Sequence, residues 1–224
     1  MQRIRALPSS VSDADDRRTT LDALEHYNPD SHPCQRCGKK IWHSGKAASY
    51  RRGLTYIKDG MRVDDEVNIP IFLCEECGKS SRPGGNPDGD YYHAILPNNL
   101  IPFTYYTLLF VLSVLDAYVK REQPVTEICS FFSISVSTLY RWKKRYIQQY
   151  DAWAESLESI RHMCEHSSQS DPEQTEAEAL SQSLRKVFSC LPQLVSSFFS
   201  RFAFSFLQHS RLTHFRPLLK PRRL

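Results

Sequence analysis

Apolar residues along the chain follow two different periods, and the change falls near residue 100. Between residues 50 and 73 they alternate with polar residues, and an Asp59-Gly60 pair separates two such runs. This pattern is typical of a β-hairpin. After residue 100 they recur at helical spacing, which predicts a helix over residues 103–121, with Pro102 near its start, and two helices within residues 125–150. A break around residues 133–135 separates the two helices within residues 125–150.

Polar segments divide the rest of the chain. Residues 1–33 are polar and are interpreted as a mobile arm, and residues 81–95 contain the Pro, Gly, Asn and Asp residues of a loop. Residues 151–183 are predominantly acidic and are interpreted as a linker. Residues 184–224 combine an amphipathic helix with a basic tail. These segments leave residues 34–80 and 96–150 as the predicted folded domains.

The composition is that of an ordinary globular protein. Of 224 residues, 41% are hydrophobic, and 29 Lys+Arg against 25 Asp+Glu give a formal charge of +4. This apolar content suffices for a packed core, while the charge alone does not indicate a partner. The N-terminus lacks the apolar stretch of a signal peptide, so we expect a cytoplasmic protein. The Phe-rich C-terminal segment is interrupted by Pro192, Gln193 and Arg201, so we expect no membrane span.

Four of the seven cysteines form two matching pairs, Cys34-x-x-Cys37 and Cys74-x-x-Cys77, each followed by Gly-Lys. In a reducing compartment such pairs indicate metal binding rather than disulfides. Four thiolates match the tetrahedral coordination of structural Zn²⁺ and leave no open position for catalysis. The alternative, a pair of redox dithiols, requires a helix start and a neighbouring sheet pattern that these turns lack. The spacing therefore predicts a zinc ribbon over residues 34–80, with Zn²⁺ as a structural ion.

Basic residues are concentrated around and within the insert between the cysteine pairs. Positive side chains there are expected to contact nucleic-acid phosphates, and the alternative is an ordinary solvated face. The residues expected to make these contacts are Lys39, Lys40, Arg51 and Arg52.

Residues 125–144 match the pattern of a helix-turn-helix. Small Cys129 stands where the two helices cross, and apolar residues at fixed steps, including Leu139 and Trp142, supply a shared core. Ser133 occupies the turn position that usually favours glycine, and Ser135 can cap the second helix. The alternative is a plain helical hairpin with a solvated basic end. The outward residues expected to contact DNA are Ser135, Ser137, Thr138, Tyr140, Arg141, Lys144 and Arg145.

The order of these motifs resembles a bacterial zinc-ribbon and helix-turn-helix family associated with insertion-sequence transposases. It is also similar to the N-terminal DNA-binding regions of transposases. The resemblance rests on the two cysteine pairs and on the Ser-Thr-Leu-Tyr-Arg-Trp run at residues 137–142, and spans about residues 30–150. It implies DNA binding, with zinc as a structural ion. Together with the elements predicted above, we expect an α+β protein of the bacterial cytoplasm, in which a zinc ribbon precedes a three-helix helix-turn-helix domain and a C-terminal amphipathic helix.

Three function classes follow. The first, which we favour, is a sequence-specific double-stranded DNA-binding protein that is accessory to a transposable element or regulates it. The second is a transposase with its own nuclease site, which would need several carboxylates on a sheet to bind two metal ions. Acidic residues after residue 150 fall in the predicted linker, so we expect no enzyme activity. The third is a protein-interaction module or a non-catalytic remnant of a transposase. A transposase is the candidate protein partner, and a homodimer remains open.

Overall fold

The computed structural model describes residues 2–4, 16–28, 34, 37–39, 42–43, 49–74, 92–97, 99–149 and 176–189. Within them the chain is an α+β protein. Its strands are β1 (Gln2–Ile4), β2 (Trp42–His43), β3 (Ser49–Lys58), β4 (Met61–Leu73) and β5 (Tyr92–Pro97). Its helices are α1 (Asp16–Glu25), α2 (Leu108–Lys120), α3 (Val125–Phe131), α4 (Val136–Gln148) and α5 (Glu176–Ser189).

Strands β3 and β4 form the hairpin that the alternating pattern predicts. They pair antiparallel from Lys58 and Met61 at the tip to Ser49 and Pro70 at the far end. Asp59 and Gly60 have φ of 50° and 76°. Positive φ at both central residues is the requirement of a type I′ turn, whose twist matches the twist of the strands. The hairpin prediction is therefore confirmed.

Both faces of the hairpin are covered. On one face Leu54, Tyr56 and Ile69 pack in a cluster that includes residues of α1 and β5. The opposite face carries Thr55 and Ile57, and Ile57 packs against the core of the helices. Because the two faces are covered by different elements, the hairpin forms a layer between α1 and the helical domain.

Strand β5 differs from the sequence prediction. Its range, Tyr92–Pro97, overlaps the predicted loop at residues 81–95 and the predicted start of the helical domain at residue 96. It pairs antiparallel with the end of β4, and β1 pairs parallel with its other edge. On the opposite side, β2 pairs with Phe72 and Leu73 of β4. Ile95 and Leu96 are fully buried, and such a short apolar run beside a loop has too little periodicity to be assigned from sequence.

Helix α1 lies within the segment predicted to be a mobile arm. Its Asp16 and Thr20 are buried, and both belong to a polar network that joins α1 to the start of α2. Thr107 Oγ1 donates to Asp16 Oδ2 at 2.6 Å, and Asn99 Nδ2 donates to Thr20 Oγ1 at 2.9 Å. The arm interpretation therefore has to be corrected for residues 16–28, because α1 covers one face of the hairpin.

Helix α2 begins later than predicted, at Leu108 rather than near Pro102. The preceding residues extend along the outer edge of β3, where Thr55 N–H donates to Tyr105 O and Thr107 N–H donates to Thr55 O. Thr107 then caps the helix by accepting from the Phe110 N–H at 3.2 Å. Residues that pair with the edge of β3 have an extended backbone and cannot be helical. This explains why α2 begins later than predicted.

We expect Thr107→Val to destabilise the protein by about 1–3 kcal/mol, since it removes a helix cap and the hydrogen bond that the Thr107 hydroxyl donates to the buried Asp16 carboxylate. Urea unfolding monitored by circular dichroism measures the change. Ser49→Ala, at an exposed strand position, is the control. A loss equal to that of the control would contradict the role assigned to Thr107.

The helices share one core. Eight residues of α2 are buried, and α3, α4 and α5 pack around them. Helix α5 begins at Glu176, inside the segment predicted to be an acidic linker, and buries Leu184 and Val187. Its Ser183 Oγ lies 3.2 Å from the Tyr146 hydroxyl of α4. The predicted Phe-rich segment beyond residue 189 lies outside the described residues. Among the described helices, none has the length and apolar character needed to cross a membrane.

Candidate nucleic-acid interface and metal centre

Helices α3 and α4 are joined by a tight turn at Ser133. Ser133 has φ of 48°, the left-handed conformation that ends many helices. Its N–H donates to Ser130 O at 3.1 Å, and the Ile134 N–H donates to Cys129 O at 2.9 Å. This pair of bonds is the Schellman arrangement, which satisfies the last carbonyls of α3. The turn thus adopts the conformation usually given to glycine although its residue is serine.

The predicted shared core of the two helices is present. Ile128, Cys129 and Phe132 of the first half and Leu139 and Trp142 of the second are buried in one cluster. Burial raises the pKa of the Cys129 thiol, as expected of a residue that packs rather than reacts.

Trp142 is the centre of an aromatic contact that fixes α4. Its ring centroid lies 4.8 Å from that of Tyr106 and 6.3 Å from that of Phe110, both in edge-to-face geometry. Since aromatic pairs add to the energy of burial, the buried face of α4 is held firmly against α2. The opposite face of α4 is therefore presented to solvent in a fixed orientation.

That outer face carries most of the predicted DNA-contacting side chains. Ser137, Tyr140, Arg141 and Lys144 are exposed, whereas Thr138 and Arg145 are half-buried. Burial, together with the nearby charge of Arg141, lowers the pKa of Arg145 below its ordinary value. The two guanidinium groups thus contribute to one positive region.

Ser135 is the N-cap of α4, as predicted. Its Oγ accepts from the Thr138 N–H at 3.2 Å and lies 2.9 Å from the hydroxyls of Ser137 and Thr138. Ser135 is exposed, but its Oγ already accepts a hydrogen bond from the helix backbone, which lowers its capacity to contact a base.

The basic residues in and around the insert differ in exposure and in their contacts. Lys39 is exposed, Lys40 lies outside the described residues, and Arg51 is ion-paired with Glu66. The phosphate contact predicted for Arg52 needs correction. Its guanidinium is directed inward and donates to Ile101 O at 2.6 Å and Thr104 O at 2.5 Å, which joins β3 to the segment before α2.

A polar contact that the sequence did not predict joins the hairpin to the helix-turn-helix. Arg62 Nη1 donates to Phe132 O at 3.1 Å and to Ser133 O at 2.5 Å. Its Nε and Nη2 donate to Asp64, and Asp64 Oδ1 also accepts from Thr55 Oγ1 at 2.5 Å. Nothing in the local sequence around Arg62 could have indicated a partner 70 residues away.

Three of the four predicted metal ligands are brought together. The Sγ atoms of Cys34, Cys37 and Cys74 all lie within 4.8 Å of one another, and Cys37 Sγ is 3.3 Å from Cys74 Sγ. Because sulfurs bound tetrahedrally to zinc at about 2.3 Å lie about 3.8 Å apart, these three sulfurs form a possible metal site. Cys77, the predicted fourth ligand, lies outside the described residues.

Backbone hydrogen bonds link Cys34 to the residues that follow Cys37. The Gly38 N–H donates to Cys34 O at 2.8 Å, and the Cys34 N–H donates to Lys39 O at 2.8 Å. Gly38 has φ of 70°, which explains the glycine after the second cysteine. Cys74 follows directly after β4, so the sheet places it beside this turn.

Comparison with known proteins agrees with this description of the helices. Residues 112–149 match a family of helix-turn-helix domains. This family is found in transposases. The match includes α3, the turn at Ser133 and all of α4, together with most of α2. No curated protein and no solved structure matched the chain. A helix-turn-helix domain indicates DNA binding.

Proposed function

We propose that this protein is a sequence-specific double-stranded DNA-binding protein in which α4 is the recognition helix. The observation that carries the proposal is the division of α4 into two faces. One face is fixed in the core by Leu139, Trp142 and Tyr146, and the other exposes hydroxyl and cationic groups. Such a helix fits the major groove of B-DNA, and these groups match base edges and phosphates.

The N-terminal half of α4 supplies the base contacts in this proposal. Ser137, Thr138 and Arg141 lie within its first two turns, and arginine can donate two hydrogen bonds to guanine. Lys144 and Arg145 follow one turn later and contact phosphates. The tip of a recognition helix usually enters the groove first, which favours this division of roles.

Zinc at the cysteine cluster has a structural role in the proposal. Cys34, Cys37, Cys74 and Cys77 would bind the ion and so join the chain before β2 to the end of β4. Support comes from the proximity of the three described sulfurs. A closed set of four thiolates supplies no catalytic position, which agrees with a protein that binds DNA without reacting with it.

We also propose that the biological role is accessory to, or regulatory for, a bacterial transposable element, with a transposase as protein partner. Support comes from the order of the cysteine pairs and helix-turn-helix and from the occurrence of the matching domain family in transposases. The protein would act in the cytoplasm on chromosomal or element DNA. Palindromic half-sites in the selected DNA would indicate a homodimer.

The test is selection from a random duplex library with the zinc-loaded full chain at about 150 mM salt, where loose phosphate binding is weak. We expect enrichment of a defined motif. A folded, zinc-loaded protein that enriches no motif would contradict sequence-specific binding and favour the protein-interaction alternative.

Arg141→Ala should lower the affinity for the selected site by about tenfold or more, corresponding to about 1–3 kcal/mol for a bidentate base contact. It should also relax the preference at one base position. Fluorescence anisotropy with the selected site and single-base variants measures both effects. Arg18→Ala removes the same charge from an exposed position on α1 and is the matched control. Equal losses in the two variants would contradict base recognition by Arg141.

A further inference from the structure

The positive side chain that contacts the C-terminal end of α3 belongs to another part of the chain. The last turn of α3 contains no basic residue, yet the carbonyls of Phe132 and Ser133 both accept from Arg62 of β4. A cation at this end of a helix is favoured by the helix dipole and by the exposed carbonyls. Arg62 therefore supplies a stabilising charge that α3 lacks.

These contacts fall at the residue that forms the turn between α3 and α4. Ser133 adopts φ of 48°, a region that side chains other than glycine disfavour. Helix α4 begins only three residues later, at Val136, so the torsion angles of this turn set its direction. A second conformation of the turn would reorient α4 as a whole.

Arg62 is itself held in place. Its side chain is only 19% exposed, and Asp64 accepts hydrogen bonds from its Nε and Nη2. Burial raises the pKa of Asp64, but hydrogen bonds from Arg62 and Thr55 more than offset this and leave it below its usual value. Asp64 is therefore ionised at neutral pH. Its carboxylate accepts hydrogen bonds from both Thr55 and Arg62, and so holds the Arg62 side chain in place.

We propose that Arg62 is a positioning residue for DNA recognition, which fixes the left-handed turn at Ser133 and thereby the orientation of α4. The hairpin thus has a function beyond connecting the cysteine pairs, since it supports the helix-turn-helix at the turn. This inference rests on the proposed function, because its effect on DNA requires that α4 recognises bases.

The first experiment compares Arg62→Gln with the unmodified chain on the selected duplex and on random duplex DNA. We expect the ratio of specific to non-specific affinity to fall by about tenfold, because a less populated turn lowers the fraction of binding-competent protein. The slope of affinity against salt should not change. Arg18→Gln makes the same change at an exposed position on α1, outside the proposed DNA-binding residues, and is the matched control that should leave the ratio unaltered.

Two results would overturn the proposal. If Arg62 contacted phosphate, Arg62→Gln would weaken binding to all sequences alike and lower the salt slope by about one. If Arg62 only stabilised the fold, the variant would melt at a lower temperature yet discriminate sequences normally when assayed well below that temperature.

A rescue experiment separates positioning from general stabilisation. Glycine accepts the left-handed conformation without steric cost, so Ser133→Gly should restore most of the discrimination lost in Arg62→Gln. In the unmodified background Ser133→Gly should have little effect on DNA binding. If the folded double variant did not recover discrimination, the proposal that Arg62 acts by fixing the turn at Ser133 would be contradicted.

Amide hydrogen exchange tests the turn without DNA. The Ile134 N–H donates to Cys129 O across the turn, and its exchange should be about tenfold faster in Arg62→Gln and return toward normal in the double variant. Unchanged exchange overturns the proposal whatever the DNA result. Faster exchange in a chain that selects no duplex would support the fixation of the turn by Arg62 and refute the proposed function instead.

Discussion

Cys74→Ser is expected to abolish stable zinc binding and to lower the free energy of unfolding of the part of the chain that contains the β-sheet. Cys74 is fully buried, its Sγ lies 3.3 Å from that of Cys37, and it is one of the three possible ligands that the described residues bring together. An ion that binds only the folded state stabilises it by about 4 kcal/mol when free zinc is a thousand times Kd. Metal content by mass spectrometry and urea unfolding with and without a chelator measure the two effects.

The control for this prediction is Cys129→Ala, which changes a buried cysteine that packs between helices and contacts no other cysteine in the described cluster. It should retain zinc in full. The metal content of Cys77→Ser tests separately whether the ligand set contains a fourth sulfur. Full zinc retention in Cys74→Ser would show that the cluster of three sulfurs is not the metal site.

Features that depend on near neighbours in the chain could be predicted from sequence. The Asp59-Gly60 pair has the residues of a type I′ turn, and the structure shows positive φ at both positions. The helix-turn-helix follows from apolar spacing within one window of residues 125–144, and its core assembles as that spacing predicts. Both are local patterns, in which secondary-structure period and turn chemistry agree.

Features that depend on distant contacts could not be predicted. Asp16 is an acidic residue in a polar segment, which predicts exposure, yet it is buried against Thr107, 91 residues away. Arg52 and Arg62 belong to a basic insert, which predicts solvent or phosphate, yet both donate to backbone carbonyls of other elements. Composition indicates the average environment of a charged residue, while the tertiary fold decides which carbonyl or carboxylate lies beside it.

Trp142→Ala is expected to have the largest effect on the helix-turn-helix itself. The side chain is 5% exposed and packs on Tyr106 and Phe110, so its removal leaves a cavity between α4 and α2. Truncation of a buried tryptophan costs about 3–5 kcal/mol, a large share of the stability of a domain. Thermal and urea unfolding measure this loss, and near-ultraviolet circular dichroism reports the packing of the remaining aromatic rings.

Two further variants decide whether the effect comes from the core contact. Trp142→Phe retains a ring at the same site and should cost less than the alanine variant, so it keeps the test informative if Trp142→Ala does not fold. Ile147→Ala removes an apolar side chain from the exposed part of the same helix, where the change should stay within about 0.5 kcal/mol. A loss in Trp142→Ala as small as that in Ile147→Ala would contradict the packing of α4 on α2. The fixed orientation of its outer face, on which DNA recognition by Arg141 depends, would then lose its physical basis.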